Sequence, residues 1–208
     1  MKIHIACALA ACAFAAEVSA QTTADLNADG KNSDNVLTYG MGYYQNRYSP
    51  LKQINKENVK RLVPVWNASL NSSYGEQGQP LVHDGLLFAA DAEATVAIDV
   101  ATGKQAWRTP VDFDAATPRV VCCGVSNKGP AVYNGKVFRG TLDAFLVALD
   151  QKTGKQVWKE KVAEWKDGFS ITGAPLVANG VLITGMSGAE FDRGKETAKA
   201  IREGQPIA

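Results

Sequence analysis

Three stretches of this 208-residue chain repeat one pattern. Pro80-Leu81-Val82-His83-Asp84-Gly85-Leu86-Leu87-Phe88 is matched by Pro130-Ala131-Val132-Tyr133-Asn134-Gly135-Lys136-Val137-Phe138, and again by Pro175-Leu176-Val177-Ala178-Asn179-Gly180-Val181-Leu182-Ile183. Each copy sets two short apolar runs around Asp-Gly or Asn-Gly, the strongest short-range signal for a β-hairpin. After the first two copies a second element recurs. Ala97-Ile98-Asp99-Val100-Ala101-Thr102-Gly103-Lys104-Gln105-Ala106-Trp107 parallels Ala148-Leu149-Asp150-Gln151-Lys152-Thr153-Gly154-Lys155-Gln156-Val157-Trp158. This reads as another strand pair, joined at Asp-x-x-Thr-Gly, with a tryptophan on the exit strand to pack against the neighbouring unit. Trp66, in Val63-Pro64-Val65-Trp66, reads as the end of an earlier partial copy. The copies begin 50 and then 45 residues apart, which suits four strands per unit. That is the period of a β-propeller blade, whereas solenoid repeats are shorter or helical. The expected fold is all-β, part of a β-propeller.

Propellers close with typically four to eight blades, because an open stack leaves an edge sheet and an uncovered core. Here the repeat accounts for two clear units, the beginning of a third and an N-terminal strand region. Beyond Glu190 the third copy does not reach its own Asp-x-x-Thr-Gly and Trp. Residues 192–208 instead read as a polar tail of mildly helical propensity, and the chain reads as a truncated propeller.

Residues 1–20 have the form of an export leader. Lys2 supplies a short positive start, Ile3–Ala16 is apolar apart from His4, and Val18-Ser19-Ala20 ends in a small-x-small cleavage pattern. The apolar run is shorter than the roughly twenty residues of a membrane span. Cleavage after Ala20 would make Gln21 the new N-terminus; the alternative is a lipoprotein signal, since Leu9-Ala10-Ala11-Cys12 fits a lipobox. Either reading predicts export, to the periplasm. Removing the leader removes Cys7 and Cys12 and leaves the adjacent pair Cys122 and Cys123 in an oxidising compartment. With 22 Lys+Arg against 21 Asp+Glu, the net charge of +1 gives no electrostatic footprint for nucleic acid or an acidic membrane surface. The expected organisation is a leader over 1–20, a propeller fragment over 21–191 and the tail over 192–208.

The Asp-x-x-Thr-Gly-Lys-x-x-Trp repeat resembles the tryptophan motif of the pyrroloquinoline quinone (PQQ) enzymes. Non-catalytic propellers such as outer-membrane assembly lipoproteins carry similar repeats, so this motif alone leaves the class open. The segment Val121-Cys122-Cys123-Gly124-Val125-Ser126-Asn127 narrows it, because it resembles the vicinal-disulfide segment of quinoprotein alcohol dehydrogenases of the methanol and ethanol dehydrogenase type. Leu37-Thr38-Tyr39-Gly40 followed by Arg47-Tyr48-Ser49-Pro50-Leu51-Lys52-Gln53-Ile54-Asn55 is similar to their N-terminal segment. Ile171-Thr172-Gly173-Ala174-Pro175 and Ser187-Gly188-Ala189-Glu190-Phe191 are similar to two of their cofactor-lining strands. The resemblance covers about residues 36–191, roughly three of the family's eight blades.

The resemblance implies that Cys122 and Cys123 form a strained disulfide ring lying against one face of planar PQQ, a rigid polarizable surface for a flat quinone. It implies that Thr172, Ser187, Gly188 and Ala189 contact PQQ carboxylates or its rim. Glu190 matches the carboxylate ligand of the active-site cation, calcium or a lanthanide ion; such a hard cation takes oxygen ligands and polarises the quinone carbonyl. Two positions depart from the pattern. Lys128 stands where the family usually has an arginine paired with a PQQ carboxylate, keeping the charge but losing the bidentate fork. The family's early PQQ-binding glutamate falls on Gln77 when anchored at Pro80-Leu81-Val82, with Glu76 one step earlier.

The catalytic aspartate, the remaining metal ligands and the tryptophan over the second PQQ face lie later in the family's chain and have no counterpart here. The resemblance therefore implies the N-terminal portion of an alcohol-oxidising enzyme that passes electrons to a cytochrome c, inactive as this polypeptide alone. The alternative is a non-catalytic PQQ-repeat scaffold or binding protein. Two other signals are discounted. Asp25-Leu26-Asn27-Ala28-Asp29-Gly30 imitates the opening of a calcium loop, but Val36 stands where that loop needs its bidentate glutamate. His83, beside a hairpin turn, is expected to be structural.

Overall fold

A single Asp-Gly or Asn-Gly pair sets the geometry of each hairpin. In the computed structural model, which describes residues 20–31, 34–121 and 124–187, Asp84 and Gly85 have φ of 48° and 73°, Asn134 and Gly135 of 48° and 69°, and Asn179 and Gly180 of 48° and 76°. Positive φ at both central residues gives the turn whose twist matches that of antiparallel strands. The strands that follow are β1 (Leu81–His83), β2 (Leu86–Ala90), β3 (Ala94–Asp99) and β4 (Gln105–Pro110), paired antiparallel in chain order as one four-stranded sheet. A second sheet of the same order contains β5 (Ala131–Tyr133), β6 (Lys136–Gly140), β7 (Phe145–Asp150) and β8 (Gln156–Lys161). The third copy forms the hairpin β9 (Leu176–Ala178) and β10 (Val181–Ile183). The repeat thus folds as part of a β-propeller, in two whole blades and the start of a third. Even the irregularities recur: the register shifts between Ala97 and Ile98 in the first blade and between Ala148 and Leu149 in the second.

The Asp-x-x-Thr-Gly turn follows from its hydrogen bonds. Asp99 Oδ1 accepts from both the Thr102 backbone N–H and its hydroxyl, each at 2.7 Å. Asp150 Oδ1 accepts the same pair from Thr153 at 2.8 and 2.7 Å. In each case the threonine hydroxyl bond is the main reason the aspartate pKa lies below its ordinary value. The glycine N–H then donates back to the aspartate carbonyl at 2.8 Å in both turns.

The glycine also makes room for a tryptophan. A Cβ on Gly154 would lie 2.6 Å from the Trp107 ring, and one on Gly103 would lie 2.6 Å from the Trp66 ring. Trp107 Nε1 donates to the Gln151 carbonyl at 3.0 Å, and Trp66 Nε1 to the Val100 carbonyl at 2.8 Å. Trp66 therefore does end a partial copy as its motif suggests: it caps the first blade's turn as Trp107 caps the second's. The expected strand around it is not formed; residues 62–70 have no ladder partners among the described residues. Within each blade the tryptophan meets the phenylalanine of the second strand, Phe88–Trp107 at 6.0 Å and Phe138–Trp158 at 5.8 Å between centroids. Such tilted aromatic pairs add to the burial of both rings.

The seam between the blades also holds a buried charge. Arg139 on β6 is 1% exposed and donates from Nη2 to the Asp91 carbonyl at 2.7 Å, from Nη1 to Thr95 Oγ1 at 3.3 Å and from Nε to the Gly140 carbonyl at 3.0 Å. Burial pushes its pKa down to about 10, opposed by Asp91 and Asp143, so it remains a cation at neutral pH. A guanidinium bonded this way ties the β2–β3 loop to the next blade.

Before the first blade, Thr22 caps α1 (Thr23–Ala28) by accepting from the Asp25 N–H, and Asp25 accepts from the Thr22 N–H in return. Asp29 accepts from the backbone N–H groups of Leu37 and Thr38 at 3.1 and 2.8 Å. The two aspartates of the calcium-loop look-alike are thus engaged by chain folding. Val36 pairs reciprocally with Val82, both bonds 2.8 Å, and covers the free edge of β1. Among the described residues no helix is long and apolar enough to cross a membrane. Of the expected leader over 1–20, residues 1–19 lie outside the described residues, as does the whole tail over 192–208.

His83 is buried, and its Nδ1 is 2.8 Å from Gln151 Nε2, which makes the ring a neutral acceptor. Burial lowers its pKa from 6.5, against the opposing pull of Asp84 and Asp25. The unfolded chain therefore binds the proton more readily than the folded one. Folding stability from this residue is complete above about pH 6.5 and is lost as the pH falls through the folded pKa. Urea unfolding midpoints measured from pH 7.5 to 5 should fall with pH, and less steeply in His83→Gln.

The tryptophan contact predicts a difference between two glycines of similar φ. Gly154→Ala, at φ 69°, places its Cβ against Trp107, whereas Gly85→Ala, at φ 73°, meets nothing within 4 Å. The second should cost about 1 kcal/mol of backbone strain, and the first about 3 kcal/mol, because overpacking adds to that strain. Thermal unfolding of both variants gives the comparison.

Candidate functional site

Three of the residues singled out in the sequence converge at one end of the blades. The loop entering the third copy runs antiparallel to Ser187: Ser170 and Ser187 exchange backbone bonds of 2.8 and 2.9 Å. Two residues on, Thr172 Oγ1 lies 3.5 Å from Ser187 Oγ, and Ser170 Oγ lies 3.3 Å from the same oxygen. The Thr172 carbonyl accepts the Lys128 backbone N–H at 2.8 Å. Lys128, Thr172 and Ser187 thus share a site that also includes Ser170.

Gly140 governs how closely these segments approach. A Cβ there would lie 2.1 Å from Ile171 Cγ2, so only glycine lets the fully buried Ile171 seat against the end of β6. The Gly140 carbonyl also accepts Asn127 Nδ2 at 3.0 Å, while Asn127 Oδ1 accepts the Gly129 N–H at 2.9 Å. Asn127 is 1% exposed and pins the loop that carries Lys128 to the same glycine that seats Ile171. Sequence reasoning missed Gly140 and Ser170 altogether and quoted Asn127 only as part of the cysteine segment. The available signal was Asn127 itself, a polar residue between a hairpin and a glycine, where a side chain bonds nearby backbone.

Glu76 and Gln77 are both exposed. Their loop crosses the Lys128 loop at two glycines, since a Cβ on Gly78 would lie 2.9 Å from Gly129 N and 3.1 Å from the Ala90 carbonyl. Gln77 and Lys128 each stand one residue before this crossing, and Glu76 one residue further away. Gln79 Oε1 accepts the Gly40 N–H at 3.1 Å and fastens the crossing to the N-terminal segment. Cys122, Cys123, Gly188, Ala189 and Glu190 lie outside the described residues. Among the described residues no group of three or more His, Cys, Asp or Glu could hold a metal ion.

Beside Lys128 opens a cleft of about 330 Å³ between β1, β5 and β9, with Leu37, Tyr43, Leu81 and Pro175 on its walls. Tyr43 closes one side by donating its hydroxyl to the Val177 carbonyl at 2.7 Å, and burial raises its pKa. The walls are mainly apolar, and the polar side chains on them are Thr38, Tyr39, Tyr43 and Gln45 of the N-terminal segment together with Lys128. Lys128 is exposed and forms no salt bridge with a described residue. An ammonium without a salt-bridge partner among the described residues, on a loop whose backbone is held by Thr172, is suited to an anionic ligand such as a carboxylate.

Comparison with known proteins bears on the fold and the family. Residues 37–203 match the PQQ family described as glucose/ethanol/alcohol dehydrogenase, beta-propeller domain. The chain belongs to the quinoprotein alcohol dehydrogenase family. It is 46% identical over 168 residues to the quinoprotein alcohol dehydrogenase PedH of Pseudomonas putida, covering 78% of this chain and 28% of that one. To the 1-butanol dehydrogenase (quinone) of Thauera butanivorans it is 43% identical over 200 residues, covering 91% of this chain and 32% of that one. Among solved structures, a europium-containing methanol dehydrogenase superposes with a TM-score of 0.74 at 35% identity, over 80% of this chain and 30% of that one. The chain therefore spans about a third or less of the length of these family members.

Gly140→Ala should disturb this site without any backbone strain of its own, because Gly140 is not among the residues of positive φ. The added methyl must push Ile171 outward, at about 1–3 kcal/mol. A fall in the urea midpoint, together with faster amide exchange at Lys128, whose N–H bonds Thr172, would register the displacement.

Proposed function

We propose that this chain supplies the first blades, and one rim of the cofactor site, of an exported PQQ- and metal-dependent alcohol dehydrogenase. The observation that carries this reading is the convergence of Lys128, Thr172 and Ser187 at positions where the family binds its quinone. PQQ is a planar tricarboxylate, so an ammonium with no salt-bridge partner among the described residues, and the hydroxyls of Thr172 and Ser187, suit its edge. When bound, it supplies the two-electron oxidation of the alcohol, with the electrons leaving to a cytochrome c.

The chain's own residues bind and orient. Lys128 neutralises a carboxylate as a point charge. Thr172 and Ser187 donate hydroxyl bonds, and Gln77, or Glu76 after a one-residue shift, completes the near side of the rim. Gly188 and Ala189 contribute backbone to the same rim. Glu190, three residues beyond Ser187, is a ligand to calcium or a lanthanide ion. A disulfide between Cys122 and Cys123 forms the flat floor. No residue of this chain is assigned to take the proton from the alcohol; that step belongs to the part of the propeller that the family carries later in its sequence. The leader over 1–20 directs the chain to the periplasm, where the adjacent cysteines oxidise.

PQQ titrated into the purified exported chain, followed by the quinone's absorbance, should show saturable binding. Lys128→Ala should weaken it roughly tenfold or more and Lys128→Arg should strengthen it, as the bidentate fork is restored. Thiol alkylation should label Cys122 and Cys123 only after reduction. If PQQ does not bind while the chain is folded, the quinone-binding reading fails and a scaffold role takes its place.

A further inference from the structure

Gln21 follows an exposed alanine yet is itself only 2% exposed. Its carbonyl accepts the Asn134 N–H at 3.1 Å and its side-chain Oε1 accepts the Gly135 N–H at 3.0 Å. A backbone N–H can only donate, so this bond fixes which end of the Gln21 amide is oxygen. Nε2 must then be the donor to Gln151 Oε1. That in turn leaves Gln151 Nε2 to donate to His83 Nδ1 at 2.8 Å. The result is a one-way relay of donors: from the β5–β6 turn to Gln21, on to the turn after β7, and finally to the imidazole at the end of β1. Gln151 is the same residue whose carbonyl receives the Trp107 indole. Blade 1 has Val100 at the equivalent position, whose side chain cannot take part in such a relay.

We propose that Gln21 is a guarded N-terminal modification site, resting on the reading that the leader is cut after Ala20. Once cut, the chain begins with a glutamine, which can close on itself. The α-amine nitrogen attacks Cδ, a C–N bond forms a five-membered lactam, and the Cδ–Nε2 bond breaks. Nε2 leaves as ammonia after taking a proton from the attacking nitrogen, and no oxidant or co-reactant enters. Ring closure removes the very nitrogen that donates to Gln151, and pulls Cδ toward the α-nitrogen from a carboxamide held at both ends. In the folded chain cyclisation must wait until the relay opens, so its rate is scaled by the fraction of time the segment is open. The native exported protein therefore keeps an open glutamine, and a chain cyclised before folding lacks the relay.

The experiment uses the whole 208-residue chain, exported by a bacterial host, with intact mass and N-terminal sequencing as the first readout. A chain beginning at an open Gln21 is expected. A chain beginning at Gln21 but blocked, and lighter by one ammonia, would overturn the proposal. A chain beginning elsewhere would overturn the leader reading, a separate and recognisable outcome. Purified glutaminyl cyclase is then added to native and to urea-unfolded protein. Release of ammonia should be at least roughly tenfold slower from the native chain, the protection expected of one or two buried hydrogen bonds. Equal rates would overturn the guard. Gln151→Leu, which removes the acceptor for Gln21 Nε2, should lose the protection. Gln151→Glu keeps that acceptor and should retain it; equal behaviour of the two variants also overturns the relay.

Discussion

The contact between a tryptophan and the glycine of the next blade's turn is what makes a stack of sheets out of this sequence. A blade alone is a four-stranded sheet with two faces to cover and little to say which neighbour covers them. Trp107 supplies the instruction, because its ring fits only over a turn without a Cβ, and its N–H finds the carbonyl of Gln151 there. The asparagine and aspartate turns, the Asp–Thr bonds and the repeated bulge all serve to present that ring and that glycine at the same place in each unit. Trp107, which has both a sheet of its own and a turn to receive it, is 8% exposed; Trp66, with a turn but no sheet, and Trp158, with a sheet but no third turn among the described residues, are each half-buried.

The seam that this contact closes is then furnished differently at its two ends. On the side of the Thr-Gly turns, Gln151 collects Trp107, Gln21 and His83 into one network of neutral groups. Toward the other end, Arg139 and Gly140 do the corresponding work with a buried cation and an absent side chain. The Gly140 carbonyl receives both Arg139 and Asn127, so the loop of Lys128 is referred to the same residue against which Ile171, next to Thr172, is seated. The site is therefore positioned by the blade beneath it, and its hydroxyls need not hold themselves in register.

Much of this was legible from the letters because it is local. Asp84-Gly85 dictates a hairpin wherever it stands, and Asp99 bonding Thr102 needs only three residues of separation. The blades could be counted and the role of Trp107 anticipated for that reason. The site residues Lys128, Thr172 and Ser187 were found by resemblance, since nothing in their spacing announces that they meet. Gly140, Ser170 and Arg139 were not found at all. Their roles depend on partners 31, 17 and 48 residues away in sequence, respectively Ile171, Ser187 and Asp91. No periodicity encodes such pairings. The strand anticipated around Trp66 fails for a related reason: a docked ring fixes one residue, but a strand needs a ladder, and residues 62–70 have none among the described residues.

Lys128 stands where the resemblance leads one to expect an arginine, and on the proposed reading the exchange has a physical consequence. An arginine there would offer a fixed fork to a carboxylate, and its geometry would select a planar partner. The lysine offers charge on a flexible stem, so orientation must come from elsewhere. The structure provides it in the backbone: the Lys128 N–H is committed to Thr172 and Gly129 to Asn127, which leaves only the side chain free to move. On the proposed reading, a ligand held here is oriented by the hydroxyls of Thr172 and Ser187, with Thr172 beside the seated Ile171, and is merely attracted by the lysine. That division would assign direction to the segments flanking the third unit's hairpin and attraction to the loop entering the second, so neither unit would make the site without the other.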